Sequence, residues 1–300
     1  MFNPKRRLPA LALALLTMPA TSLALAESKK NVAEAAPALT YTSASAKGVS
    51  LAKGLVEKGQ IAEAVKEFQK AYDAGEYDAG FYIARLLELG LGGSSDPVAA
   101  LRTYQAAAEK GSPMALNRLG VMQYRGEVGQ LQDFKAARAS FCRAAEAQYP
   151  EALYNCGDLT EKGLGGEPDI EAAAGLYQRA AELGNVDAMN RLGELLGRDD
   201  YPSKDVARAF SYYKQSAERG NAQGLFQLAL ALQSGKGGET ADPVMAHVYF
   251  NLASMAGYPG AASQMASAAK TLSASEVEKA QGLAREKLKA IQAQGTQGTQ

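Results

Sequence analysis

The 300-residue chain has no tryptophan, one histidine and two cysteines, and its 32 Lys plus Arg equal its 32 Asp plus Glu. Each shortage removes a class of function. His247 alone cannot build a histidine zinc site, and it leaves little scope for a Ser-His-Asp apparatus. Balanced charge gives nothing basic enough to track a phosphate backbone, so nucleic acid is not an expected partner. Beyond the first residues no run approaches the roughly 20 apolar residues that a membrane helix needs, so no span is expected in the mature chain.

The start is where apolar residues concentrate. Lys5, Arg6 and Arg7 precede a mostly apolar stretch from Leu8 to Met18, and Ala24-Leu25-Ala26 offers small residues for cleavage. This reads as a secretory leader over residues 1–26, with an uncleaved anchor as the competing reading. No Cys follows it to carry a lipid, so a soluble periplasmic or secreted protein is expected. Loss of the leader leaves 29 basic against 32 acidic residues, a net of −3. Residues 27–46 lack apolar periodicity and read as a linker, and QGTQGTQ at the end reads as a frayed tail from 293 to 300.

Between them a pattern repeats. Residues 107–120 read AAEKGSPMALNRLG and residues 180–193 read AAELGNVDAMNRLG. Equivalent boundary positions are Gly75, Gly111, Gln148, Gly184, Gly220 and Gly257, 36 or 37 residues apart, a spacing typical of stacked helical repeats. Four residues on stands a small residue (Ala79, Ala115, Ala152, Ala188, Gly224, Ala261). Eight on stands Ile83, Leu119, Cys156, Leu192, Leu228 or Met265, followed by Ala or Gly. This is helix A, with a stripe of small residues that lets a neighbour approach. Seven before each boundary stands an aromatic (Phe68, Tyr104, Phe141, Tyr177, Tyr213, Phe250), followed by mostly alanine: the buried face of helix B. Fifteen before it stand Asp96, Asp133, Asp169, Asp205 and Asp242, short carboxylates suited to capping helix B, with Pro97 and Pro243 at the first helical position. Glycine-rich turns (90–93, 163–166, 235–238) join A to B.

At these residues the chain resembles the Sel-one-like repeat family, a branch of the tetratricopeptide-like solenoids. Leu119-Gly120, Gly126, Asp133, Ala144 and Ala145 carry the diagnostic run. The resemblance implies an all-α, right-handed alpha-alpha superhelix of stacked two-helix repeats over residues 75–271. Residues 47–74 look like an ordinary tetratricopeptide unit with a short turn. Ser273-Ala-Ser-Glu276 forms a capping box opening a terminal capping helix, placed at 272–292. Two departures stand out. Leu87, Gln123, Thr160, Leu196 and Leu232 occupy the place of a family aromatic, and the fourth unit reads Gly197-Arg-Asp-Asp-Tyr-Pro202, which puts a local distortion of the superhelix in play.

Motifs that invite chemistry have plainer readings. The aspartates recur one repeat apart, which suits caps and not a paired-carboxylate site. The glycine turns never continue into Gly-Lys-Ser/Thr. Ser50/Lys53, Ser211/Lys214 and Ser267/Lys270 match Ser-x-x-Lys, and some secreted relatives are associated with penicillin binding, but the companion motifs are absent and all three fall in repeat helices. His247 is read as a packing or surface residue. Cys142 and Cys156 mirror each other across the turn at Gln148, which suits a disulfide in an oxidising compartment; the other reading is two small buried hydrophobes.

The family likeness implies that helix A lines an inner, concave curve. Positions six, ten and thirteen after each boundary form one stripe, read as lying apart from the core. It holds Phe81, Arg85 and Glu88; Asn117, Val121 and Tyr124; Tyr154, Asp158 and Glu161; Asn190 and Glu194; Phe226, Leu230 and Gln233. Aromatic anchors among amides and carboxylates suit a protein or peptide partner, and a solvated face with scattered aromatics is the alternative. The expectation is a non-enzymatic interaction scaffold without cofactor or metal. An envelope hydrolase acting on cell-wall material or β-lactams, and a glycan-binding module, are the other classes kept open.

Overall fold

The computed structural model describes residues 47–237 and 240–297, with side chains to residue 293; the leader, linker and last residues lie outside it. Fourteen helices and no strand occur among the described residues. They are α1 (Lys47–Glu57), α2 (Ile61–Asp73), α3 (Asp78–Leu89), α4 (Pro97–Glu109), α5 (Pro113–Arg125), α6 (Phe134–Glu146), α7 (Pro150–Lys162) and α8 (Ile170–Glu182), followed by α9 (Val186–Gly197), α10 (Val206–Glu218), α11 (Ala222–Ser234), α12 (Pro243–Met255), α13 (Ala261–Ala269) and α14 (Ala274–Gln297). From α3 onward odd-numbered helices are helix A and even-numbered ones helix B, until α14 closes the series.

Local chemistry sets the ends. Each of the five aspartates accepts a bond from the backbone N–H three residues on, at 2.8–3.0 Å, satisfying a donor that the helix itself leaves orphaned. Four A helices stop at a left-handed glycine, Gly90, Gly126, Gly163 and Gly235, with φ of 65–67°. α9 lacks one and ends at Arg198 in extended conformation.

The interior turn nevertheless closes identically in every unit. The N–H of Asp96, Asp133, Asp169, Asp205 and Asp242 donates to the carbonyl of Leu87, Gln123, Thr160, Leu196 and Leu232 at 2.8–3.0 Å. The irregular fourth turn, held by Arg198 on Asp200 and Lys204 on Asp199, therefore returns the chain to the usual place. The distortion expected there is confined to the turn.

The chain divides into two units at Ala180/Ala181, inside α8. In the first, each helix packs on the next from α1 to α7, and α3 also touches α5, as α5 touches α7. In the second, packing runs from α9 through α13, and α14 lies on α12. There Ala280 and Ala284 join Leu225, Leu228, Val248 and Leu252 in a buried cluster, so the terminal helix covers apolar surface as a solenoid cap does. Its capping box is formed: Ser273 N donates to Glu276 Oε2 at 2.8 Å. The helix runs on to Gln297, past the end at 292 that composition suggested.

The aromatic of helix B fills the pocket above the small residue of the preceding helix A. Phe68, Tyr104, Phe141, Tyr177 and Phe250 are wholly withdrawn from water, each contributing about 1.5–3 kcal/mol of burial. A methyl group added at Gly120 would sit 2.7 Å from Phe141 Cδ1, which is why glycine stands there.

One boundary departs from the rest. Gln148 holds φ of 59°, where the equivalent positions hold glycine, and α7 begins at Tyr149 with no side-chain cap bond. Across this turn Cys142 and Cys156 are joined, their sulfurs 2.00 Å apart. By chain-entropy arguments a link of this span contributes about 3 kcal/mol, more than a non-glycine left-handed residue costs.

Candidate functional site

The stripe at positions six, ten and thirteen is not an open face. Phe81, Asn117, Val121, Tyr124, Asp158 and Asn190 are buried; Arg85, Tyr154, Glu194 and Phe226 are half-buried. At 100° per residue these positions fall at about 240°, 280° and 220° around helix A, next to the small residue at about 180° that receives the aromatic ring. The stripe thus borders the interface instead of opposing it. Asn155 Nδ2 donates to Asn117 Oδ1 at 2.9 Å across α5 and α7, and Asn190 Nδ2 donates to Asn221 Oδ1 at 2.9 Å. Phe226 packs on Phe250 and Tyr258, and Tyr154 on Tyr177. α5, touched by α3, α4, α6 and α7, has little free perimeter.

Position thirteen carries a polar device that spacing alone did not reveal. Tyr104 donates its hydroxyl proton to Glu88 at 2.7 Å, and Tyr177 to Glu161 at 3.0 Å, each pair 16 residues apart. Where helix B carries phenylalanine instead, at Phe141 and Phe250, neither the residue 16 earlier (Arg125, Ser234) nor the one at position thirteen (Tyr124, Gln233) is a glutamate. A glutamate 16 before the aromatic was the available signal. Around Glu88 the arrangement is elaborate: Arg85 and Arg118 bond to it, and Arg118 also bonds to Glu127. Burial pushes the Glu88 carboxyl up, but the bonds from Arg118, Tyr104 and Arg85 outweigh it and hold the group below its ordinary range. The tyrosine hydroxyl is driven upward by burial and by Glu88, so it stays protonated as a donor.

The fourth unit lacks this filling. There the end of α9, the face of α10 and the second half of α11 enclose a cleft of roughly 610 Å³. Val206, Ala209, Phe210, Leu230 and Ala231 line its bed, while Glu194, Gln233 and Lys236 stand among its polar walls. This size and mixture suit a short peptide or small molecule. Glu194, Leu230 and Gln233 belong to the stripe proposed from sequence; the rest of that stripe does not line the cleft. Glu194 is committed to Arg191 and to Gln223, which donates to it at 2.6 Å.

The other chemistry-bearing residues are dispersed. His247 is buried in α12, where desolvation holds its pKa below the ordinary value. The Ser-x-x-Lys serines are exposed on α1, α10 and α13, on helical backbone without an elbow. Among the described residues no group of three or more His, Cys, Asp or Glu could hold a metal ion, and no helix is long and apolar enough to cross a membrane.

Five consecutive stretches, residues 77–112, 113–149, 150–185, 186–221 and 222–258, match the family described as the Sel1 repeat. Among solved structures, a protective antigen of uropathogenic Escherichia coli strains displaying an SLR fold aligns with a TM-score of 0.69 at 24% identity, over 77% of this chain and 49% of its own. The chain thus spans about half the length of that antigen. A Sel1 repeat protein from Oxalobacter formigenes aligns with a TM-score of 0.61 at 25% identity, over 69% of this chain and 84% of its own. No curated protein matches the chain.

Proposed function

The chain belongs to the Sel1 repeat family, whose members are generally protein-interaction scaffolds, and from that premise we propose that it is a non-enzymatic adaptor of the bacterial envelope that holds a segment of a partner protein. The observation that carries the reading is the fourth-unit cleft. Its apolar bed can anchor a side chain, and its polar walls can fix the register of a bound segment. Glu194, with Leu230 and Gln233, is the part of the helix A stripe that this reading retains for binding.

The Cys142–Cys156 bond favours an oxidising compartment, periplasmic or extracellular, which accords with the leader read from residues 1–26. The test is capture followed by quantification. The immobilised chain is exposed to envelope extract, the enriched protein is purified, and its binding is remeasured with wild type and with a variant blocked in the cleft. A scaffold binds the purified partner with micromolar or tighter affinity and leaves fluorescent penicillin and peptidoglycan unchanged. Covalent labelling by the penicillin, or turnover of peptidoglycan by the pure chain, contradicts the reading.

A further inference from the structure

The cleft is the register equivalent of the Glu88 cluster. Counting from the boundary glycines, Gly197 stands where Glu88 stands, Tyr213 where Tyr104 stands, Gln227 where Arg118 stands and Lys236 where Glu127 stands. All four line the cleft. In the fourth unit the carboxylate has therefore been removed, and the aromatic that served it has been kept.

Tyr213 is placed like its bonded counterpart. A Cβ built on Gly193 would lie 2.7 Å from Tyr213 Cε1, and one on Gly157 would lie 2.9 Å from Tyr177 Cε1. Tyr177 has its glutamate, whereas the Tyr213 hydroxyl and the Gln227 amide have no hydrogen-bond partner among the described residues. Tyr213 is also the one aromatic of its series that is not fully buried. Room exists for a side chain at the missing position, since a Cβ on Gly197 would meet only Ala209 Cβ, at 4.0 Å. The charges are redistributed. Lys236 stands in the place of Glu127, while Glu194, in the place of Arg85 and the one carboxylate on the walls, is already taken up by Arg191 and Gln223.

We propose that the cleft receives a glutamate side chain of the partner protein, seated where the repeat's own glutamate is missing. The carboxylate accepts from the Tyr213 hydroxyl, the Gln227 amide and the Lys236 ammonium, and flanking aliphatic side chains of the partner rest on Phe210 and Leu230. This rests on the scaffold reading above, and it narrows the partner to a segment carrying glutamate between apolar residues.

The test uses the full chain and two acetylated, amidated pentapeptides, Ala-Leu-Glu-Leu-Ala and its Gln counterpart, titrated by NMR with the Gly237 amide as reporter. The Glu peptide is expected to give saturable shifts, and the Gln peptide to bind at least about tenfold more weakly, as loss of a charged hydrogen bond implies. Tyr213→Phe should weaken the Glu peptide by about tenfold without lowering the unfolding midpoint, because the chain itself uses phenylalanine at Phe141 and Phe250. Gly197→Ala should still bind. Gly197→Glu supplies the carboxylate from within and should bind neither peptide, while unfolding at higher temperature than Gly197→Ala. Equal binding of both peptides, absence of saturable shifts with either, or undiminished binding by Gly197→Glu overturns the proposal. The two readings fail separately. A captured partner that still binds Gly197→Glu leaves the scaffold standing with its site elsewhere; peptide binding without any captured partner leaves the carboxylate seat and removes the scaffold.

Discussion

The junction around Glu88 and the cleft around Gly197 occupy the same register of the repeat and resolve it in opposite ways. At the first, a glutamate, a tyrosine and two arginines close on one another across α3, α4 and α5. At the second the tyrosine remains, the glutamate is glycine, and one arginine is glutamine. The turn closes on the carbonyl of Leu87 and of Leu196 alike, although the second is built without the left-handed glycine. A solenoid can thus leave a pocket where a side chain is missing from a repeated polar contact while the closing bond of the turn is kept.

The comparison predicts unequal sensitivity to the same kinds of substitution. Arg118→Met should destabilise the protein by about 3–5 kcal/mol in urea titration, because it removes both charged bonds to the guanidinium that Glu88 and Glu127 share, leaving them only Arg85 and Arg125. Gln227→Met at the equivalent position should change stability by less than about 0.5 kcal/mol, since its amide lines an open cleft. Similar losses at both sites would break the contrast. Next in size, Tyr104→Phe removes a hydroxyl from a buried carboxylate and should cost about 1.5–3 kcal/mol, against about 0.5 kcal/mol or less for Tyr213→Phe.

Acid provides a third discrimination. The Glu88 carboxyl titrates below its ordinary value of 4.5 in the folded chain, so the unfolded chain binds the proton first as pH falls. Its contribution to stability is complete above about pH 4.5 and is lost as pH drops through the folded value. Glu88→Gln should flatten that part of the acid-unfolding curve, and a curve left unchanged would contradict the role given to this carboxyl.

How much of this was legible beforehand depends on how many helices a residue must satisfy. Features set by one helix end were readable: the aspartate caps, the left-handed glycines and the capping box at Ser273 each follow from the backbone's orphan groups. Features set by two mirrored helices were readable as well, since counting outward from the turn at Gln148 pairs Cys142 with Cys156. The burial of Asn117, Asp158 and Asn190 was not, because it depends on neighbours in the adjoining repeat, as where Asn117 meets Asn155 and Asn190 meets Asn221, whose angles a linear pattern does not contain. The cleft escaped for a different reason. It arises from what position 197 lacks, and the absence gains meaning only once the Tyr104–Glu88 bond is known.

A separate expected effect concerns the boundary turns. Gln148 holds the left-handed conformation that glycine holds at Gly111 and Gly184, so Gln148→Gly should stabilise the chain by about 1 kcal/mol. The gain should be seen as a rise in the denaturant midpoint with the disulfide intact, and no rise would mean that the link between Cys142 and Cys156 has already absorbed the cost.

The most direct examination of the central claim is a crystal structure of the Gly197→Glu protein. If the fourth repeat retains a vacant carboxylate seat, the introduced side chain will lie in the cleft with an oxygen at hydrogen-bond distance from the Tyr213 hydroxyl, as Glu88 lies against Tyr104 at 2.7 Å and Glu161 against Tyr177 at 3.0 Å. A side chain turned out to solvent, with the tyrosine still unpaired and the cleft unfilled, would contradict it.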